Sequence, residues 1–417
     1  MIQAVAQDGY AQVAVEQVLG HCGASRSTFY EQFRSKEDCF LAAQAEISER
    51  LLRTLELEAR LDEPSEIHET FIRVLMHFAS SEQPSARLLL LETLASGPSA
   101  LNARGELTRA FERVIERSWE MVPGQTSGID LSARALVGAV LRMLAIRLRR
   151  GEGALHDLQM ELTAWVECYR VSAEAPLRWR QPTCAPRPEL LAGAPGAVTS
   201  IPEPLPRGRH KLSAAEVARN QCDRVLYAVA ELAHQMGYAT MTVTDICARS
   251  KVSRKIFYTH YADKEAAVLE AIELGFRQTT AVTSRAFFAA GDWPERVWAA
   301  GRAFAGFLVD HPALAWLGFI ESYVIGAPAV QRAEDTQVSL TMLLHEGYGY
   351  RGDRKPPSAS ALEAIAAAAF ELIHQQLRDQ HEAALAGVLP EVVYMCLAPF
   401  IGPEAANLFI TSQLEGN

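Results

Sequence analysis

The chain has 417 residues, of which 49% are hydrophobic and 22% are charged, and its formal net charge at pH 7 is -10. These values exclude an intrinsically disordered chain and a surface that is basic overall. Because phosphate attraction reaches only about 8 to 10 Å, any nucleic-acid contact must come from local basic patches. The length exceeds the size at which one hydrophobic core usually stops growing, so we expect two domains or a duplicated pair.

The N-terminal stretch MIQAVAQDGY lacks the basic and apolar regions of a secretory signal. The most apolar part of the chain, residues 297–330, is interrupted by Arg302, Asp310, Pro312 and Glu321. The seven cysteines form no CxxC motif, and no His/Cys cluster has zinc-ligand spacing. We therefore expect a cytoplasmic protein with reduced thiols, without a membrane partner, a metal or a cofactor.

One thirteen-residue pattern occurs twice, 228 positions apart: SRSTFYEQFRSKE begins at Ser25 and SRKIFYTHYADKE begins at Ser253. Further matches keep nearly the same offset, namely Gly9-Tyr10-Ala11 with Gly237-Tyr238-Ala239 at 228, and Glu92 with Glu321 and Leu148 with Leu377 at 229. So constant an offset indicates that a whole unit of about 190 to 200 residues is duplicated. We call the two units copy 1 and copy 2.

The segment between the copies is rich in proline. Eight of the twenty prolines lie within residues 176–206, which predicts an extended linker over residues 176–210. Elsewhere apolar residues recur at helical spacing, as in SARALVGAVLRMLAIRLRR from Ser132 and ALEAIAAAAFELIHQQLR from Ala361. No convincing alternating strand pattern occurs, so the predicted fold class is all-α.

The repeated pattern predicts two short helices joined by a turn. In copy 2, Thr242-Val243-Thr244-Asp245 has the form of a capping box, which predicts a helix start, and that helix should stop near Ser250. Ser253 then caps a second short helix that carries Arg254 and Lys255 early on its exposed side. Two such helices form a helix-turn-helix, whose second helix can enter the DNA major groove.

Copy 2 also has the aromatic pair Phe257-Tyr258, a further aromatic residue at Tyr261, and a helix start at Lys264-Glu265. With these features, residues 237–265 resemble the DNA-binding domain of the TetR/AcrR family of transcriptional repressors. Residues 9–37 resemble the same domain. The resemblance implies two fused subunits that act as a pseudo-dimer in one chain, with further association left open. Each would have a helix-turn-helix domain (residues 1–45 and 211–275) and an all-α regulatory and dimerisation domain (residues 46–175 and 276–417).

The function implied by the resemblance is sequence-specific DNA binding. The chain would be a regulator, a repressor released by a small-molecule effector, and not an enzyme. Its partners would be the effector and a double-stranded DNA operator that need not be palindromic. By position, the implied phosphate contacts are Tyr30, Gln32, Lys36, Thr242, Tyr258, His260 and Lys264, and the implied base-reading residues are Arg26, Ser27, Thr28, Arg254, Lys255 and Ile256.

The two copies differ in ways that favour copy 2 as the main DNA reader. Copy 1 has Ala14 in place of the capping Thr, carries Gly20 within its second helix, and begins with a shortened first helix. Copy 2 has Lys251 where the family has a turn glycine, which costs energy in a left-handed backbone but adds phosphate attraction. The RGRHK run at residues 207–211 is either a basic arm or the end of the linker.

Glu92 and Glu321 lie within apolar segments, where an ionised carboxylate needs a partner. Either glutamate would contact the effector, form an ion pair between the copies, or lie at the solvent edge of its helix. Trp316, Phe319, Ile320 and Tyr323 follow helical spacing and would belong to the core or line an effector pocket in copy 2.

The late helices, predicted over residues 132–149, 155–169, 360–378 and 385–397, form the expected pairing surface between the copies. Two competing hypotheses remain open at this point. One is a sensing or protein-interaction module that keeps the fold but has lost DNA binding. The other is an enzyme, for which the sequence offers no GxGxxG, GxxxxGK[ST], HExxH or nucleophile-elbow motif.

Overall fold

A computed structural model describes residues 1–122, 128–151, 155–171, 201–205, 212–378 and 385–415. Most of the predicted linker, including the RGRHK run, lies outside these residues. The predicted all-α class is confirmed. A two-residue antiparallel ladder also forms between β1 (Gly128–Ile129) and β2 (Arg170–Val171), with Gly128 opposite Val171. The sequence did not predict this ladder because each strand is too short to show alternation.

The chain divides into two compact units. The first comprises Met1–Arg178, Gly347–Leu372 and Tyr394–Phe409, and the second comprises Trp179–Glu346, Ile373–Val393 and Ile410–Asn417. The first unit therefore contains copy 1 together with late segments of copy 2. The compact units thus do not coincide with the two sequence copies.

Copy 1 contributes nine helices and two short 3-10 turns to the described chain. The turns are Pro64–Glu66 and Glu92–Ala95. The helices are α1 (Ile2–Asp8), α2 (Val15–Cys22), α3 (Arg26–Gln32), α4 (Lys36–Leu61), α5 (Ile67–Ser81), α6 (Gln83–Leu90), α7 (Pro98–Glu120), α8 (Ala133–Arg150) and α9 (Leu155–Glu167). The predicted boundary between residues 45 and 46 falls inside α4, so one continuous helix belongs to both predicted domains. Its buried face includes Phe40, Ile47 and Leu55.

Copy 2 contributes the remaining helices. They are α10 (Ala214–Met236), α11 (Val243–Ser250), α12 (Arg254–His260), α13 (Lys264–Ala289), α14 (Trp293–Asp310), α15 (Pro312–Trp316), α16 (Ser322–Ile325), α17 (Ala327–Thr341), α18 (Ala359–Arg378), α19 (Leu385–Ile401) and α20 (Pro403–Glu415). The first helix, α10, has 23 residues, whereas its counterpart α1 has 7. The predicted boundary between residues 275 and 276 lies within α13, as its counterpart lies within α4.

The segment predicted as one apolar helix around Trp316 is broken into three parts. A π-helical turn, Leu317–Glu321, separates α15 from α16. Phe319, Ile320 and Tyr323 are nevertheless buried. Because a π turn adds a residue to the helical repeat, simple i, i+3, i+4 spacing does not describe which side chains share a face here. Glu92 in copy 1 likewise lies in a 3-10 turn and not in a continuous helix.

Within the first unit, helices of copy 1 contact the late helices of copy 2. The phenol of Tyr169 donates a hydrogen bond of 3.0 Å to the carbonyl of Met395. Arg104 forms an ion pair of 3.0 Å with Glu371, and Arg147 forms one of 3.2 Å with Glu363. The segments that the sequence predicted as a pairing surface are therefore in direct contact in this unit.

No single helix in the described part of the chain is long and apolar enough to cross a membrane. The helix pair Trp293–Asp310 and Pro312–Ile325 meets that criterion only in combination, and it is bent by 101°.

Candidate nucleic-acid interface

The two helix-turn-helix segments begin with well-defined caps. In copy 2, the Thr242 hydroxyl accepts from the Asp245 amide at 3.2 Å, and the Asp245 carboxylate accepts from the Thr242 amide at 2.9 Å. These reciprocal bonds form the predicted capping box. The hydroxyl and the amide of Thr242 both donate to the Asp245 carboxylate, which lowers the pKa of that carboxyl. In copy 1, Ala14 offers no side-chain acceptor, and only the bond from its amide to Gln17 Oε1, at 2.6 Å, is made. The predicted difference in capping is thus present.

The turn before the second helix of copy 2 has a left-handed lysine. Lys251 has φ 53° and ψ 34°, and it is the one non-glycine residue with positive φ in the described chain. The guanidinium of Arg224 donates to the carbonyls of Ser250 and Lys251, the latter at 3.0 Å. The equivalent residue of copy 1 is Gly23, with φ 65°. Arg224 therefore stabilises a turn that glycine forms at lower cost.

The second helices, α3 and α12, correspond in position to the recognition helix of a helix-turn-helix. Ser25 and Ser253 cap them, and the ring of Phe29 or Phe257 is buried on their inner side. Tyr261 is buried as well, whereas its counterpart Phe33 is half-buried. Of these four aromatic side chains, only that of Phe33 is not buried.

The residues of α12 that the resemblance assigns to bases and phosphates differ in exposure. Arg254 and Lys255 are exposed, Ile256 is half-buried, and Tyr258 is 50% exposed. Among the described residues, no ion pair is formed by Arg254, Lys255 or Lys251. His260 is half-buried, and its ring lies 3.3 Å from the side-chain oxygen of Gln221. This helix thus presents cations that are free to meet a polyanion.

The matching face of α3 is neutralised. Arg26 forms an ion pair of 2.5 Å with Glu16 on α2, and both side chains are more than half exposed. Ser27 donates to Glu31 at 3.3 Å, and the Thr28 hydroxyl lies 2.9 Å from that of Ser25. At the 228-residue offset, copy 2 has Thr244 in place of Glu16 and Thr259 in place of Glu31.

The remaining implied contacts in copy 1 are accessible: Tyr30 is 51% exposed, and Gln32 is exposed. The sequence analysis did not assign Glu16 as a partner of Arg26. Glu16 and Arg26 are ten residues apart and lie on different helices, so neither helical nor strand spacing connects them. The pair becomes visible only once the turn between α2 and α3 brings the two side chains together.

Lys36 and Lys264, which the resemblance assigns to phosphates, bond the protein's own backbone. The Lys264 ammonium donates to the carbonyls of Tyr238 and Met241 at 2.8 and 3.0 Å. Its nitrogen also lies 4.1 Å from the centroid of the Tyr238 ring, and burial lowers the pKa of Lys264. Lys36 makes the same bonds with Tyr10 and Val13. Since an ammonium has three N–H donors, one donor remains for a phosphate.

The repeated glutamates connect the helix-turn-helix segments to the regulatory helices. Glu321 accepts from the main-chain amide of Tyr238 at 2.9 Å and from the indole of Trp316 at 3.3 Å. Glu92 accepts from the amide of Tyr10 at 2.7 Å. Each bond lies within one copy, so it differs from the inter-copy ion pair considered from the sequence. The contact of either glutamate with an effector stays a prediction.

A second cluster of ionisable groups lies in the regulatory helices of copy 1. The buried ring of His68 is 3.1 Å from Glu167, whose two oxygens accept from Arg170 at 2.5 and 2.6 Å. Burial lowers the pKa of His68, and the hydrogen bonds from Arg170 lower that of Glu167. Glu69 completes a group whose ligand atoms lie within 4.8 Å of one another, as in a metal site. Because Arg170 already bonds both oxygens of Glu167, the geometry favours an ion-pair network.

Two recognition helices with capped starts, buried aromatic faces and exposed polar faces define the class of protein: a DNA-binding regulator with two helix-turn-helix domains. The family described as "Bacterial regulatory proteins, tetR family" matches residues 2–43 and 225–271. The N-terminal domain of this family is therefore matched twice in the chain, once in each copy. Two matches to this domain support a DNA-binding transcriptional regulator.

Among solved structures, a protein from Syntrophomonas wolfei str. Goettingen, described as a TetR-family transcriptional regulator, is 21% identical to this chain. The match covers 40% of this chain and 95% of that one, with a TM-score of 0.32. No curated protein matches the chain.

Proposed function

We propose that this chain is a repressor that binds one asymmetric operator as an intrachain pseudo-dimer. A small-molecule effector that binds the regulatory helices releases the protein from the operator. The observation that carries the proposal is the unequal charge of two recognition segments of the same fold. An ordinary homodimer of the family would present two identical helices, and a palindromic site would suit both. Here the two helices require different half-sites.

The charge difference assigns most of the DNA affinity to copy 2. Residues 243–260, which span α11 and α12, contain four basic residues and one acidic residue. Residues 15–32, which span α2 and α3, contain one basic residue and two acidic ones. The single arginine of copy 1 is also paired with Glu16. Since each neutralised phosphate steepens the salt dependence of binding by about 0.9 in log-log units, copy 2 should dominate that dependence.

The contacts between the copies support the pseudo-dimer. TetR-like regulators need two recognition helices held at a fixed separation, about 34 to 36 Å or a related spacing. The Tyr169–Met395 bond and the Arg104–Glu371 pair tie the late helices of copy 2 to copy 1 within one compact unit. One chain therefore supplies the pairing that would otherwise require a second subunit.

The Glu321–Tyr238 bond supports coupling between effector and DNA. Glu321 lies in the π turn beside buried Phe319, and its carboxylate holds the amide of Tyr238 at the end of α10. The carbonyl of Tyr238 in turn accepts from Lys264 at the start of α13, directly after the recognition helix. An effector that contacts Trp316, Phe319, Glu321 or Tyr323 would act on this path. Such an effector shifts the equilibrium only if it binds the DNA-free state more tightly.

A mobility-shift assay across a range of salt concentrations tests the proposal, with the DNA upstream of the protein's own gene as the probe. We expect a site that is bound more tightly than random DNA, and a double variant Arg254→Ala/Lys255→Ala that weakens binding much more than Arg26→Ala does. The control is Arg53→Ala/Arg285→Ala, which removes two exposed positive charges from the regulatory helices. Equal binding of specific and random DNA, or equal effects of the copy 1 and copy 2 variants, would contradict the proposal.

A further inference from the structure

The helices through which the two copies meet carry opposite charges. The helix α8 of copy 1 has no acidic residue and five arginines, at positions 134, 142, 147, 149 and 150. The corresponding helix of copy 2, α18, has two acidic residues, Glu363 and Glu371, and one arginine, Arg378. The two copies therefore do not present equivalent surfaces to each other.

Both glutamates of α18 are bonded to arginines of copy 1. Glu371 pairs with Arg104 of α7 at 3.0 Å, and the two side chains are only 3% and 11% exposed. Glu363 pairs with Arg147 of α8 at 3.2 Å in a partly exposed setting. Because the Arg104–Glu371 pair is almost fully buried, removing either charge would leave the other buried without its partner, which is strongly destabilising.

The packing around the buried pair is also specific to the unlike copies. Gly138 of α8 faces Glu371 so closely that a Cβ atom at position 138 would lie 2.8 Å from the Cβ and Cγ atoms of that glutamate. The guanidinium of Arg142 lies 3.6 Å from the centroid of the Phe370 ring. A small residue and a cation on copy 1 thus match a carboxylate and an aromatic ring on copy 2.

A second copy 1 could not supply these partners. With the 229-residue offset of Leu148 and Leu377, the places of Glu363 and Glu371 are taken by Arg134 and Arg142. With the alternative offset of 226, which aligns Ser132-Ala133 with Ser358-Ala359, they are taken by Val137 and Ala145. In either register α8 presents no carboxylate, so Arg104 would be buried without a counter-charge or opposite another arginine.

We propose that the surface formed by α7 and α8 of copy 1 is selective for the acidic helix α18 of copy 2 and rejects a second copy 1. The interface between the copies is then heterotypic: copy 1 pairs with copy 2 of the same chain and not with another copy 1. This inference rests on the inter-copy pairing in the proposed function but not on DNA binding, and its test uses no DNA.

The test divides the full chain within the proline-rich segment and co-expresses the resulting polypeptides. Copy 1 is supplied in two forms with different affinity tags, and copy 2 is untagged. Capture through the first tag should retain copy 2 in about equal amount and the second form of copy 1 at less than about a tenth of that amount. Retention of the second form of copy 1 at a level comparable to copy 2, or absence of copy 2, would overturn the proposal.

Charge reversal separates selectivity from simple loss of folding. Glu363→Arg/Glu371→Arg in copy 2 should lower its recovery at least about tenfold. Adding Arg104→Glu/Arg147→Glu to copy 1 should restore recovery, because the ion pairs form again with inverted polarity. The control, Glu265→Arg/Glu270→Arg, also reverses two charges in copy 2, but at exposed positions on α13. It should leave the recovery of copy 2 unchanged. Failure of the inverted pair to restore binding, while the control pairs normally, would contradict the charge-based selectivity.

Discussion

The main-chain amide of Tyr238 donates a hydrogen bond of 2.9 Å to the carboxylate of Glu321, and Tyr10 and Glu92 repeat this relationship in copy 1 at 2.7 Å. Each bond joins the end of the first helix of a DNA-binding segment to a turn in the regulatory helices. Lys264 and Lys36 bond the carbonyls of the same two tyrosines. The tyrosine backbone is therefore held from both sides at the point where the two functional regions meet.

Glu321→Ala should lower the free energy of unfolding by about 1 to 3 kcal/mol, because the amide of Tyr238 and the indole of Trp316 lose a charged acceptor. Glu321→Gln keeps an acceptor oxygen and should cost less than half as much. Urea unfolding monitored by circular dichroism measures both values, with the exposed Glu270→Ala as the control. An alanine variant as stable as the wild type would show that the bond does not hold the two regions together.

Glu16→Thr should increase DNA affinity severalfold, because it gives copy 1 the residue that copy 2 has at this position and releases Arg26 from its ion pair. The dissociation constant should also become more dependent on salt. The same change combined with Arg26→Ala should lose most of the gain. Filter binding at several salt concentrations measures the effect, and an unchanged salt slope would show that Arg26 does not reach the DNA.

Lys251→Gly should have opposite effects on stability and on DNA binding. Glycine adopts the left-handed backbone of φ 53° more readily, so the free energy of unfolding should rise by up to about 1 kcal/mol. DNA affinity should fall, since one exposed positive charge leaves the recognition surface. Paired thermal unfolding and DNA titration check both effects, and a loss of stability would mean that Lys251 makes a stabilising contact in the folded chain.

The stability of the protein should fall as the pH drops below about 6.5, the ordinary pKa of histidine. Burial lowers the pKa of His68 in the folded chain, so the unfolded chain takes up a proton at a pH where the folded chain does not. Protonation therefore favours unfolding in this range. His68→Gln should reduce the difference in stability between pH 7.5 and pH 5.5, and His77→Gln on the same helix is the control. Identical pH profiles for wild type and His68→Gln would contradict the expected role of His68.

The helix-turn-helix segments could be predicted from sequence because their signals are local. Thr242 with Asp245, and Ser253 before Arg254, define helix starts through bonds that span three residues. The left-handed backbone at Lys251 occurs at the position where the family resemblance implies a turn glycine. The internal repeat supplied a second example of the Ser253 cap, at Ser25, but not of the Thr242 cap, because copy 1 has Ala14 there.

The functional contacts between distant segments could not be predicted in the same way. Glu321 and Tyr238 are 83 residues apart, and Arg104 and Glu371 are 267 residues apart, so no periodicity connects them. The π turn at Leu317–Glu321 also changes which residues share a face. The resemblance to the family assigned Lys36 and Lys264 to phosphates. Their bonds to backbone carbonyls could not be predicted, because those carbonyls come close to the lysines only when the chain folds.

The stoichiometry of the protein–operator complex tests the central claim most directly. The chain has a mass of 45.8 kDa, and sedimentation equilibrium of the complex, with labelled DNA at a concentration well above the dissociation constant, gives the number of chains per duplex. One chain per operator, with protection of two adjacent and unlike half-sites in a footprint, is the result expected of an intrachain pseudo-dimer. Two chains per operator, protecting a palindrome, would contradict it.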